Sequence, residues 1–193
     1  MMIGLWKKIG SGALLLCLLA LSASAQQLEV RGYLERTEPL MGELRTNVRT
    51  FLDEVQPLRE QRDMVGLKEV ADRYITVWDG LLLKLSELEP PEVASAHYQA
   101  LQSLFAAQRE SNQMMSETLG QQIELLRKIG QMRDEGASEE EIQDFVTANP
   151  LDREALVARG AKLKSTTQQA DEVLETEHEK LKAIVEGQPE EES

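Results

Sequence analysis

Glu175 and His178 are the two residues of this chain whose types and spacing best suit metal chemistry. They give Glu-x-x-His on a predicted helix, the spacing that supplies ligands in bundle-type di-iron carboxylate proteins. A di-iron site needs this motif twice, and the other histidine, His97, has Ala94 at the corresponding position. The run around His178 is rich in glutamate, as solvated helix faces are. The sequence therefore offers Glu175 and His178 as candidate metal ligands, with a solvated acidic face as the alternative interpretation.

The other residues that could do chemistry form no catalytic or cofactor-binding motif. We find no G-x-S-x-G sequence, no paired Ser and His motif and no glycine-rich phosphate loop. His97 follows Pro90 and Pro91, and we expect it to pack as a satisfied histidine against the end of the second helix. The sequence thus predicts a protein that is not an enzyme, with no catalytic residue and no cofactor.

Composition and charge limit the classes of protein further. The chain has 193 residues, of which 41% are hydrophobic and 4% aromatic, and its 21 basic and 34 acidic side chains give a net charge of -13. So acidic a chain is poorly suited to nucleic acid, because phosphate contacts supply most of that affinity. Abundant Leu, Glu, Gln and Ala with few aromatics favours helices over sheets. The length fits one domain.

The first 25 residues have the pattern of a secretory signal peptide. Lys7 and Lys8 precede the apolar run from Ile9 to Leu21, and a small-residue cleavage site ends at Ala25. As a helix this run is about 20 Å long, whereas a bilayer core is about 30 Å thick. We therefore expect cleavage after Ala25 and a periplasmic or secreted bacterial protein without stable membrane insertion. An uncleaved N-terminal anchor is the alternative, as is a lipoprotein attached through Cys17, although Leu16 stands where a lipoprotein signal needs a small residue.

Apolar spacing predicts the first two helices of the domain at residues 26–186. The first has a heptad seam and runs from about Gln27 to Gln56, where Pro57 either ends it or bends it on its way to Arg62. Its seam consists of Leu34, Met41, Leu44, Val48, Phe51, Val55 and Leu58. Asp63 is the expected N-cap of the second helix. The core positions of the second helix are Leu67, Val70, Tyr74, Trp78, Leu81, Leu85 and Leu88.

Three further helices are expected after Pro90 and Pro91. A long one runs from Pro91 to about Asp134, and an S-x-x-E capping box at Ser138 opens a short one. The last starts at Asn149 and Pro150, and residues 187–193 form an acidic disordered tail. No segment of the domain alternates with a period of two. The fold class is therefore all-α: an up-and-down antiparallel bundle of four long helices and one short connecting helix, with coiled-coil-like packing.

The stretch from Leu85 to Leu104 carries the one family resemblance in the chain. Leu88, Pro90, Pro91 and His97 form L-x-P-P-x-x-x-x-x-H, which resembles a helical hairpin of uncharacterised exported bacterial helical proteins and lipoproteins. The resemblance covers Asp63 to about Arg109. It implies a location in the cell envelope and a helical hairpin, and it implies no activity.

These observations predict an exported, non-enzymatic helical-bundle protein that acts through its surface. The expected partner is another envelope protein or a second copy of the chain, because heptad seams serve intramolecular and intermolecular packing equally well. Two surfaces are candidates for that contact: the polar middle of the third helix, at residues 108–118, and the acidic face of the last helix. A metal-binding bundle and a holdase chaperone are the alternative functions.

Overall fold

The computed structural model describes the backbone of residues 6–187 and the side chains of residues 24–187. This part of the chain is almost entirely helical and contains no β-strand. None of its helices has a stretch apolar and long enough to cross a membrane. Residues 188–193 of the predicted tail, and the side chains of the predicted signal peptide up to residue 23, lie outside the described part.

Residues 6–187 form five α-helices. They are α1 (Trp6–Gln61), α2 (Met64–Ser86), α3 (Ser95–Asp134), α4 (Glu139–Ala148) and α5 (Arg153–Glu186), with a 3-10 turn at Glu92–Ala94 before α3. Four are long and α4 is short, so the predicted all-α class and the number of helices are confirmed.

The long helices run alternately up and down. Lys84, near the end of α2, pairs with Glu43 of α1, whereas Arg73, earlier in α2, pairs with Glu54, which lies later in α1. This crossed order shows that α1 and α2 are antiparallel. Asp79 and Asp72 of α2 meet Arg109 and Ser116 of α3 in the same crossed order. His97 and Glu110 of α3 likewise meet His178 and Arg159 of α5, and α5 also packs on α1. The four long helices therefore pack side by side around the main hydrophobic core.

α1 is longer than the sequence predicts. It begins by Trp6 rather than Gln27, and it continues through Pro57 to Gln61 instead of ending at Gln56. A proline inside a helix removes one backbone hydrogen bond, but Val55 on the preceding turn is only 1% exposed and holds the segment against the core. The helix ends where Arg62 takes a positive φ of 57°. Of the two alternatives for Pro57, continuation towards Arg62 is the correct one.

The predicted caps are confirmed at two helices and wrong at one. The Asp63 side chain accepts a hydrogen bond from the backbone N–H of Gly66 at 2.9 Å, and the capping box of Ser138 is formed. At α5 the expected start at Asn149 and Pro150 is wrong. Asn149 ends α4, and the carboxylate of Asp152 caps α5 by accepting from the N–H of Ala155.

The core follows the predicted seam of α2. Every predicted position from Leu67 to Leu85 is buried, and Leu88 is half-buried. A smaller cluster closes the end of the bundle at which α3 begins and α5 ends. It consists of Val30, Tyr33, Leu34, Ala94 and Leu181.

Candidate functional site

His97 and His178 meet at one end of the bundle. His97 lies in the first turn of α3 and His178 near the end of α5, so the antiparallel arrangement of these helices brings the two rings together. Their centroids are 5.5 Å apart and the ring planes are 27° from parallel. Sequence spacing suggests no relation between the two histidines, because the contact depends on the register of α3 against α5.

Tyr33 of α1 completes this cluster. Its hydroxyl and Nδ1 of His97 form a hydrogen bond of 3.0 Å, and both side chains are fully buried. Burial raises the pKa of the Tyr33 phenol, which therefore keeps its proton. Burial lowers the pKa of His97 to about 4, so the imidazole is neutral at pH 7. His97 thus contacts both α1 and α5, and its expected packing against the end of the second helix stays a prediction.

One nitrogen of each histidine lacks a hydrogen-bond partner among the described residues. These are Nε2 of His97 and Nδ1 of His178, and both atoms are buried. Burial also lowers the pKa of His178. Unpaired buried nitrogens cost free energy, so the pair is a costly element of this end of the bundle.

The two predicted metal ligands lie on the same wall of a cavity. Glu175 is exposed and His178 is half-buried, and both line a space of about 620 Å³ between α1 and α5. Within residues 24–187 no three His, Cys, Asp or Glu side chains lie close enough together to hold a metal ion. A metal site at Glu175 and His178 therefore stays a prediction.

This cavity is one end of a groove along the bundle. Its lining combines the apolar side chains of Met41 and Leu174 with charged residues on both walls. A second cavity of about 430 Å³ shares Arg45 and Asp171 with the first and continues towards the α1–α2 turn. We call these two cavities the α1–α5 groove. It is lined by Glu38, Met41, Gly42, Leu44, Arg45, Val48, Arg49, Leu52 and Asp53 of α1, by Leu104 and Gln108 of α3, and by Thr167, Asp171, Leu174, Glu175, His178, Glu179 and Lys182 of α5.

The predicted seam of α1 is incompletely covered along this groove. Two seam residues that line the groove, Leu44 and Val48, are only half-buried, and Leu52 beside the seam is 56% exposed. By contrast, the seam positions of α2 are buried. The apolar spacing of α1 therefore correctly indicates an apolar face, but the bundle does not cover all of it.

The charges on the two walls differ. On α1, Arg45 and Arg49 lie one turn apart in the middle of the groove, with Glu38 and Asp53 beyond them. On α5 the facing charges are the carboxylates of Asp171, Glu175 and Glu179, each about one turn from the next. Lys182 and Glu179 form an ion pair at 3.2 Å, and the other charged groove residues form no ion pair within the described part of the chain. One wall is thus basic at its centre and the other acidic.

A third apolar cavity lies farther along the bundle, beyond the α1–α5 groove. It has a volume of about 330 Å³ and includes Met114 and Met115 of α3, Leu156 of α5 and Arg59 of α1. Methionines are adaptable side chains that suit surfaces which accept varied apolar partners. The apolar character of this face therefore continues towards the end of the bundle at which α5 begins.

The polar middle of the third helix has a structural role. Asn112 and Ser116 are buried, and the Ser116 hydroxyl bonds to the Asp72 carboxylate of α2. Arg159 of α5 pairs with both Glu110 and Glu117. These contacts join α3 to both of its neighbours, so the polar residues of this stretch tie helices together, whereas the acidic face of α5 lines the groove.

Comparison with protein-family profiles, curated proteins and solved structures finds no match to this chain. The function is therefore argued from the groove and the histidine pair.

Proposed function

We propose that this is an exported, non-enzymatic helical-bundle protein of the bacterial cell envelope that binds another envelope protein through the α1–α5 groove. The observation that carries the proposal is the part of the apolar face of α1, at Leu44, Val48 and Leu52, that the bundle leaves incompletely covered. Export is supported by the signal-peptide pattern of residues 1–25, with a periplasmic or secreted destination; an uncleaved N-terminal anchor is the alternative. The proposal that the protein is not an enzyme depends on the lack of a catalytic motif in the sequence.

Partly covered apolar side chains favour a binding function on energetic grounds. Burying a Val, Leu or Phe side chain completely is worth about 1.5–3 kcal/mol. Leu44, Val48 and Leu52 gain only part of this within the bundle. A partner that covers them supplies the rest, and the charged groups on both walls give such a partner orientation and specificity.

Site-specific photo-crosslinking in the bacterium that encodes the protein tests this proposal. A photoreactive amino acid is placed at Leu52, which lies in the groove, and in a separate variant at Leu83, which is 64% exposed on α2 and does not line the groove. We expect the Leu52 position to crosslink to one envelope protein, which purified components then bind in vitro. The proposal is contradicted if neither position forms a crosslink, or if both positions crosslink to the same proteins.

Metal binding is a second candidate function, favoured by the buried, unpaired Nδ1 of His178 beside an exposed Glu175. The probes are Zn²⁺ and Cu²⁺, titrated into chelator-treated protein by calorimetry. Binding at one ion per chain that is lost in His178→Ala supports this candidate. If stability is unchanged by either ion and by chelator, this candidate is removed.

A holdase chaperone would use the same groove with less selectivity. It predicts that Leu52 crosslinks to many unfolded proteins and that the purified protein suppresses client aggregation in proportion to its concentration. The number of proteins crosslinked to Leu52 therefore distinguishes a holdase, which captures many proteins, from a protein that binds one partner.

A further inference from the structure

We infer that the occupant of the α1–α5 groove is an amphipathic helix of a partner protein, with acidic residues along one edge and basic residues along the other. This inference rests on the proposed function, because it names the kind of partner that the same groove accepts. Its support comes from the length of the groove, from its apolar lining and from the opposite charges of its walls.

The length of the groove matches a helix. On α5 it extends from Thr167 to Lys182, and on α1 from Glu38 to Asp53. Each range spans about 23 Å at 1.5 Å per residue, or about four turns. The two walls are antiparallel helices. A partner helix that lies along the groove between them would bind as amphipathic helices bind to hydrophobic grooves of other proteins.

The apolar residues of the groove are spaced for a helical partner. Leu44, Val48 and Leu52 follow one another at four-residue intervals on one wall. Leu174 of α5 and Leu104 of α3 also line the groove, but both are almost completely buried in the core, so the exposed apolar surface is mainly that of α1. A partner helix with apolar residues at heptad spacing presents a matching stripe.

The charged side chains of the two groove walls determine which charges the partner helix should carry on either side of its apolar stripe. Arg45 and Arg49 are one turn apart, and so are Asp171, Glu175 and Glu179 on the opposite wall. Because most of these groups form no ion pair within the described residues, they are free to pair with residues flanking the apolar stripe of a bound helix. The edge beside α1 should carry Asp or Glu, and the edge beside α5 should carry Lys or Arg.

A second copy of the chain fits the groove less well than a partner protein does. The net charge of the chain is -13, so two copies repel one another at low salt. Light scattering on the purified protein tests this point directly. A stable dimer that dissociates in Leu52→Glu contradicts the inference and makes the second copy the occupant.

Three synthetic peptides of three heptads each test the partner chemistry, and fluorescence anisotropy measures their binding at nanomolar labelled concentrations. All have the same apolar stripe; the first has Glu on one edge and Lys on the other, the second Lys on both edges, and the third Glu on both. The comparison holds for either direction of the bound helix, because reversing a helix exchanges its edges. We expect the mixed peptide to bind the protein at least tenfold more tightly than the other two.

A charge reversal on one wall provides the specificity control. In the double variant Arg45→Glu and Arg49→Glu both walls are acidic, so we expect the Lys peptide to become the tightest binder. Lys162→Glu with Lys164→Glu makes the same change of charge on exposed residues outside the groove. This control variant should keep the preference for the mixed peptide.

Equal binding of the three peptides, a preference of the unmodified protein for the Lys or the Glu peptide, or no binding overturns the inference. If any of these results accompanies a specific crosslink from Leu52, the groove binds a partner of another kind and the proposed function stands. If Leu52 also fails to crosslink, both proposals fail.

Discussion

The Tyr33 hydroxyl lies 3.0 Å from Nδ1 of His97 and connects α1 to the stacked histidine pair of α3 and α5. Three helices therefore meet in one buried polar cluster at the end of the bundle, beside the α1–α5 groove. The hydrogen bond between Tyr33 and His97 leads to a prediction about stability. The lowered pKa values of the two histidines lead to a prediction about pH dependence.

Tyr33→Phe should destabilise the protein by about 1–3 kcal/mol, because it leaves Nδ1 of His97 buried without a partner. Tyr98→Phe is the matched control, since Tyr98 is half-buried and its hydroxyl forms no hydrogen bond within the described residues. Urea unfolding at pH 7 measures both. An equal effect of the two changes would show that the hydrogen bond of Tyr33 contributes nothing specific.

Stability should fall between pH 6.5 and pH 4. The pKa of His97 is lowered to about 4 in the folded protein, from an ordinary value of 6.5. In this interval the unfolded chain binds more protons than the folded one, so acidification favours unfolding by up to about 1.4 kcal/mol per pH unit for this group. The lowered pKa of His178 adds to the effect in the same direction.

Urea unfolding at pH 7, 6 and 5 measures this dependence, because most carboxylates stay ionised over that range. The charged groups that act on the two rings include Glu38 and Arg45 of α1 and Glu177, Glu179 and Lys182 of α5. His97→Asn, compared with the unmodified chain, should have a shallower slope. A free energy of unfolding that is constant from pH 7 to pH 5 contradicts the assignment of a neutral, buried His97.

Much of the fold is predictable from the sequence because it depends on local chemistry. The four-and-three spacing around Trp78 identifies the buried face of α2, and the Asp63 cap and the Ser138 capping box locate two helix starts. The sequence leaves open whether α1 ends at Gln56 or continues towards Arg62, and the burial of Val55 in the core favours continuation through Pro57.

The candidate site is less predictable because it depends on which helices cover one another. Spacing shows that Leu44 and Val48 share one apolar face of α1, but only the arrangement of α5 shows that this face is partly open. His97 and His178 likewise become neighbours only through the register of α3 and α5. The sequence predicts an acidic face on α5, but only the packing of α5 beside α1 shows that Asp171, Glu175 and Glu179 line a groove; a partner contact there stays a prediction.

Substitution of Leu52 should affect binding far more than stability. Leu52→Ala is expected to change the free energy of unfolding by less than about 0.5 kcal/mol, as surface changes generally do. Leu81 is 2% exposed, and Leu81→Ala should cost about 2–5 kcal/mol through loss of packing and the cavity it leaves. Thermal unfolding compares the two variants. A large loss at Leu52 would mean that this side chain belongs to the core.

The cap of α5 provides a test of where this helix begins. Asp152→Ala should destabilise the protein by about 0.5–2 kcal/mol, because the backbone N–H of Ala155 loses its acceptor. Pro150→Ala should have a smaller effect, since Pro150 precedes the helix rather than starting it. Urea unfolding of both variants measures the difference, and the opposite order of effects contradicts an α5 start at Arg153.

Native mass spectrometry of the protein purified from the bacterial envelope without chelator tests the central claim most directly. We predict a chain that begins at Gln26, carries no metal ion and retains one partner protein, and we predict that Leu52→Glu loses this partner while Leu83→Glu keeps it. A single chain without a partner, a homo-oligomer, or a partner retained equally by both variants contradicts a binding function of the α1–α5 groove. One metal ion per chain would instead favour a site at Glu175 and His178.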